Sequence, residues 1–228
     1  METTQAPASP RPRGWAGIVF AVLYVVGIIM VSSSPDHTDD KPFKDNPTKL
    51  AALWRAYYND SGHRRTIVIG AFVIIAAAIA FVIFGNDLRE RLTAYGARTT
   101  GGLALAGTII FATVTAVGAV ALAWIPGSKT FGDSPVPTGE LNYLASQLGY
   151  GIMLLPGGAA AALTLVSGGL GGARSRALPA WLGWAGVVIG VLLFFIAAFF
   201  VPLVLLVLWV LIAGIVMLRR PAPAVIAA

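Results

Sequence analysis

The sequence predicts an all-α membrane protein: a polytopic bundle of six transmembrane helices with a short interfacial helix in its first outer loop. Three observations carry this. The run from Trp181 to Met217, about 37 residues, holds no charge, and a hydrocarbon core some 30 Å thick needs only ~20 helical residues to cross it. The chain is 57% hydrophobic and 11% charged, where a soluble domain carries about 25% charge. Its basic residues gather at the ends of apolar segments, where they report topology. That placement sets aside nucleic acid as a partner despite a net charge of +6, because no basic, aromatic-rich module accompanies it. The absence of cysteine excludes disulfides, iron–sulfur clusters, thiolate zinc sites and cysteine nucleophiles.

Six apolar segments follow in order. The first spans Trp15–Val31 behind Arg11 and Arg13, the second Thr66–Phe84, and the third Leu103–Ile125. The fourth spans Leu141–Leu170, the fifth Leu178–Ala198, and the sixth runs from Pro202 to Leu218, stopped by Arg219 and Arg220. Treating the charge-free run as one helix would make it about 55 Å long at 1.5 Å per residue, so Pro202 is where it turns back. The first segment has the basic flank of a signal peptide, but its apolar core exceeds the usual ~7–15 residues, and it counts as a span. With the N-terminus inside, Arg89, Arg91, Arg98, Arg174, Arg176, Arg219 and Arg220 all fall on the cytoplasmic side. Loop 32–65, with six basic and several acidic residues, runs against that bias. The expected organisation is a cytoplasmic tail over 1–13, a membrane domain over 14–220 and a second cytoplasmic tail over 221–228, in the plasma membrane. The composition of both tails predicts disorder.

Within the outer loop, Asn46 and Pro47 form a helix start. Leu50, Leu53, Trp54, Tyr57 and Tyr58 then recur on one face. A helix over 47–58 with Trp and Tyr on one side suits the membrane interface, ended by Asp60-Ser61-Gly62. Both histidines share this loop. Asp36, His37, Asp60 and His63 are the residues that would make a metal or acid–base site there. Their spacing matches no metal motif, so no metal and no cofactor is expected, and a solvated acidic loop is the simpler account.

The fourth span carries Pro156-Gly157-Gly158. Proline removes a helix hydrogen bond, and loosened carbonyls in hydrocarbon must find partners. Pro156 is therefore expected to bend this span toward the bundle interior. Gln147 and Tyr150 lie one turn apart on it, and Thr108, Thr113 and Thr115 of the third span could face them. With Trp54 above, Thr108, Thr113, Gln147, Tyr150 and Pro156 make the candidate ligand pocket, set against ordinary packing of Gly, Pro and Thr. Gly186 and Gly190 form a G-x-x-x-G suited to close helix contact, within the chain rather than between chains. No ionisable residue occupies the middle of any span, as ion-coupled transport or a proton relay would require. No P-loop, G-x-S-x-G or H-E-x-x-H occurs.

The order of short motifs resembles a known family. Gly14-Trp15-Ala16-Gly17 opens the first span, and Ala56-Tyr57-Tyr58-Asn59-Asp60-Ser61-Gly62-His63-Arg64 precedes the second. Leu148-Gly149-Tyr150-Gly151 and Leu154-Leu155-Pro156-Gly157 lie in the fourth, Leu178-Pro179-Ala180-Trp181-Leu182-Gly183-Trp184 opens the fifth, and Phe200-Val201-Pro202 with Trp209-Val210 marks the sixth. Together they resemble an uncharacterised six-span integral membrane family, a domain of unknown function, of high-GC Gram-positive bacteria. The resemblance implies a topology and no activity, so it carries no catalytic residue, and His63 stands where the family pattern has Asn. The expectation is a non-enzymatic membrane protein that binds a neutral or lipid-like ligand, or a partner protein or second copy of itself. The alternatives are a transporter of a neutral solute and an enzyme acting through Asp36, His37, Asp60 and His63.

Overall fold

The computed structural model describes residues 14–32, 47–132, 135, 137–196 and 200–220. Among them there are seven α-helices and no strand. They are α1 (Trp15–Val31), α2 (Pro47–Asn59), α3 (Ser61–Ala94), α4 (Arg98–Phe131), α5 (Gly139–Ser175), α6 (Ala180–Ile196) and α7 (Phe200–Arg219). Three of them, α3, α4 and α5, are long and apolar enough to cross a membrane, and α1, α6 and α7 are shorter apolar helices. Both tails, Asn46, Asp36 and His37 lie outside the described residues.

Three helices, α3, α4 and α5, clearly outrun the sequence-predicted spans, and the start of α3 and the end of α4 show why. Asp60 does not merely end α2. It is the N-cap of α3, its carboxylate accepting the His63 backbone N–H at 2.9 Å, so α3 starts at Ser61 rather than Thr66. α4 continues through Pro126 to Phe131. A membrane helix tolerates such a proline where neighbours and hydroxyls satisfy the freed groups. Pro126 deprives the Leu122 carbonyl of its helical donor, and in the turn beyond it Ser128 and Thr130 donate back to the carbonyls of Ile125 and Pro126.

The six apolar helices close a ring in the order α1, α3, α4, α5, α6, α7 and back to α1. Consecutive members run antiparallel. Gly14, at the cap of α1, and Gly17 meet Gly214 and Val210 of α7, and Gly27 meets Gly70 and Ile74 of α3. One end of the bundle thus collects Arg89, Arg91, Arg98, Arg174, Arg176, Arg219 and Arg220, and α2 lies at the other. The ring has no open centre among the described residues. Phe20 and Tyr24, Phe81, and Phe111 fill it from three helices, with Phe20–Phe81 at 4.6 Å and Phe81–Phe111 at 4.9 Å between ring centroids. Phe84 meets Trp209 edge-on at 6.4 Å, and the Trp209 indole donates to the Leu182 carbonyl at 2.8 Å.

Small residues set the helix spacing. A Cβ on Gly107 would lie 2.5 Å from Thr164 Oγ1 and 2.7 Å from its backbone nitrogen, and one on Gly183 would lie 2.7 Å from the Gly169 carbonyl. Gly186 admits the Trp209 indole and Gly190 admits Val166 and the Ala162 backbone, so this G-x-x-x-G serves contacts within the chain. Such close backbone approach is how membrane helices gain packing without a hydrophobic drive between them.

Arg91, assigned from sequence only to a basic flank, is buried. Its Nε donates to the Ala177 carbonyl at 2.7 Å and its Nη1 to the Arg220 carbonyl. It joins the end of α3 to the α5–α6 turn and to the carbonyl end of α7.

Candidate functional site

The sequence-predicted pocket residues do not converge. Thr108 is fully buried, but its hydroxyl donates to its own helix at Leu105 (2.7 Å) and Ala104 (3.2 Å). Gly107 packs at Thr164, which places Thr108 about 24 Å along the axis from Gln147 at ~1.5 Å per residue. Thr113 and Gln147 are exposed, and Thr113 donates to Ile109 at 2.9 Å. Tyr150 donates to the Val31 carbonyl at 2.9 Å, satisfying one of the last carbonyls of α1. Pro156 is exposed. α5 continues through it from Gly139 to Ser175, so the proline faces away from the bundle, contrary to the expectation of an inward bend lining a cavity.

Trp54 is also placed differently. It is fully buried, with ring contacts to Tyr57, Tyr58 and Tyr143 at 6.3, 5.5 and 6.3 Å. Ile67 of α3 and Ile125 of α4 complete the cluster. The aromatic stripe of α2 thus meets protein rather than lipid. Arg64 holds the end of α2, donating to the carbonyls of Tyr58 and Asn59 at 2.7 Å each. His63 stacks on Tyr57 at 4.3 Å and lies 3.6 Å from Asp60. The His63 backbone N–H, bonded to the Asp60 carboxylate, holds that carboxyl below its ordinary range. Both residues therefore serve the α2–α3 junction, and among the described residues no three metal-ligating side chains come together.

An apolar groove of about 390 Å³ on the outer surface between α3 and α4 has room for a ligand. Its walls follow helical periodicity. Val68, Ala71, Phe72 and Ile75 form one face of α3, and Val120, Ala123, Trp124, Gly127, Ser128 and Phe131 one face of α4. The inner side is sealed by Ala71, Ile74, Ala119 and Leu122. Ser128 is the one polar lining residue, and its hydroxyl is turned back to the Ile125 carbonyl at 2.9 Å. Phe72, Trp124 and Phe131 stand out from the walls with exposures of 63%, 71% and 77%. Gly127 keeps the floor low: a Cβ there would meet nothing nearer than Val68 Cγ2 at 3.9 Å. Such a surface offers dispersion contacts and no chemistry, which suits an apolar chain.

A second pocket of about 450 Å³ lies at the arginine-rich end, among Tyr95–Thr100, Gly171, Arg174 and Ser175. Its Thr100 and Ser175 hydroxyls are spent on the carbonyls of Ala97 and Gly171. Near α2, four buried polar atoms have no partner among the described residues: the Trp54 indole nitrogen, Arg64 Nε and both side-chain atoms of Asn142. Sequence inspection passes over Asn142 because a lone Asn near a helix start reads as a surface residue.

No family model matches this chain, and neither the curated proteins nor the solved structures include a match to it.

Proposed function

We propose that this chain is a non-enzymatic plasma-membrane protein that takes a lipid acyl chain into the α3–α4 groove, with both termini and the arginine-rich end in the cytoplasm. The groove carries the proposal: it is apolar, open along its length, and lies on helices long enough to cross a bilayer. Acyl chains are the solvent of such a surface. The orientation rests on the bias of Lys and Arg toward cytoplasmic helix ends. The motif order resembling the six-span family fits, since that family also implies a topology without chemistry.

Solute transport fits the interior less well. A path along the ring axis would have to displace the Phe20–Phe81–Phe111 cluster, and the six predicted pocket residues offer no continuous polar lining.

The test uses the full chain reconstituted in a bilayer containing a phospholipid with a diazirine-labelled acyl chain. Cross-links should concentrate on segments 68–75 and 120–131. Gly127→Leu should strip them from those segments without unfolding the protein, because the added side chain enters open space and Leu favours a helix over Gly. Labelling spread evenly over the exposed apolar surfaces, or unchanged in Gly127→Leu, would sink the proposal.

A further inference from the structure

The α3–α4 groove ends beside cations that no described residue neutralises. Val68 lies beside Gly127, so the antiparallel packing of α3 on α4 sets Arg65, three residues before Val68, level with Lys129 and Thr130. Arg65 shares a helix face with Val68, Phe72 and Ile75. It is exposed and Lys129 is half-exposed, and neither has an ion pair or hydrogen bond to a described residue. Arg64 next door is different, being spent on the Tyr58 and Asn59 carbonyls. The nearest described carboxylate along the chain, Asp60, caps α3. Both cations lie near helix ends, Arg65 close to the start of α3 at Ser61 and Lys129 close to the end of α4 at Phe131. That is the depth at which a chain lying in the groove would meet its headgroup.

We infer that the groove selects an anionic phospholipid, its acyl chain along Val68, Phe72 and Trp124 and its phosphate held by Arg65 and Lys129. The inference rests on the groove being an acyl-chain site and adds the headgroup. Guanidinium matches phosphate with paired N–H donors, while the lysine supplies a point charge. A zwitterionic lipid presents the same phosphate together with an ammonium that cancels its charge, so two cations without a partner among the described residues discriminate in favour of net negative headgroups.

The experiment compares two probes with the same diazirine-labelled chain, a phosphatidylglycerol and a phosphatidylcholine, at equal mole fraction in otherwise neutral nanodiscs holding the full chain. Phosphatidylglycerol should label the groove segments about fivefold more than phosphatidylcholine at low salt, with the ratio shrinking as salt rises. A double variant, Arg65→Gln with Lys129→Gln, should bring the ratio to about one while phosphatidylcholine labelling persists. Arg65→Lys keeps the charge and should keep most of the ratio. Gly127→Leu should lower labelling by both probes. Equal labelling of the wild type, or a ratio unmoved by the double variant, overturns the anionic headgroup and leaves the groove standing. Labelling by both probes that survives Gly127→Leu overturns the groove itself.

Discussion

Replacing Arg91 with Met should destabilise the bundle more than any change at its exposed arginines. The guanidinium holds three elements at one point, donating to Ala177 at the α5–α6 turn and to Arg220 just past α7. Hydrogen bonds from a charged group contribute about 1.5–3 kcal/mol each, so the pair is worth roughly 3–6 kcal/mol before corrections. Two effects reduce the loss. Met does not carry the desolvation cost of a buried cation, and the Arg220 carbonyl, at an exposed residue, can recover water. A net loss of about 2–4 kcal/mol remains. On the scaling of soluble domains of this size, that lowers Tm by roughly 4–16 °C. Arg91→Lys should fall between, since one ammonium cannot span carbonyls on two separate elements as the fork does. The assay is thermal unfolding in mild detergent, read by loss of the monodisperse peak after heating. Arg174→Met, on an exposed arginine of the same end, is the control. An Arg91→Met protein as stable as that control would refute the stapling role.

Two further outcomes are expected. Asn142→Leu removes a buried carboxamide with no partner among the described residues and keeps the number of side-chain heavy atoms. It should raise stability by about 1–3 kcal/mol in denaturant titration, and a loss of stability would show instead that Asn142 holds a buried water or other guest. Reporter fusions after Arg98 and after Arg220 should both read as cytoplasmic; an outside signal at Arg220 alone would remove the sixth span, and outside signals at both would reverse the proposed orientation.

The helices were legible in the sequence because hydropathy and length decide a spanning segment almost alone. α1 falls on Trp15–Val31 as expected, and α2 differs from 47–58 by one residue. The misplaced ends are those where one residue has two uses. Asp60 reads as the end of α2 and acts as the cap of α3, and the third span, read as ending at Ile125, runs on through Pro126 to Phe131. The candidate site was far less legible. A helix that is apolar all round gives no amphipathic signal to separate its core face from its outer face. Thr108, Gln147 and Tyr150 were grouped by polarity and sequence proximity, although antiparallel packing sets Thr108 near Thr164 and gives Tyr150 to the end of α1. Nothing in the sequence links Arg65 to Lys129, and only the pairing of Val68 with Gly127 puts them at one end of one groove.

A signal for the faces was nonetheless present, in side-chain size rather than polarity. On α4 the buried positions include Gly101, Ala104, Gly107, Gly118 and Ala119, while Leu103, Ile109, Ile110, Val117, Val120 and Trp124 are exposed. Water would drive the large side chains inward. In lipid that drive is absent, and small residues win the interior because they let backbones approach. The arrangement bears on function as well as folding. Where small residues bring helices into backbone contact and aromatic rings fill the ring of six, little interior space remains for a ligand. The large side chains left outside meet the bilayer, and between α3 and α4 the small floor at Gly127 lets Phe72, Trp124 and Phe131 stand as the walls of a groove. Binding at the lipid-facing seam is thus the complement of a closed interior. Enlarging Gly127 should therefore alter lipid contact while sparing the bundle, whereas enlarging Gly107 or Gly183, which touch neighbouring helices, would force the bundle itself apart.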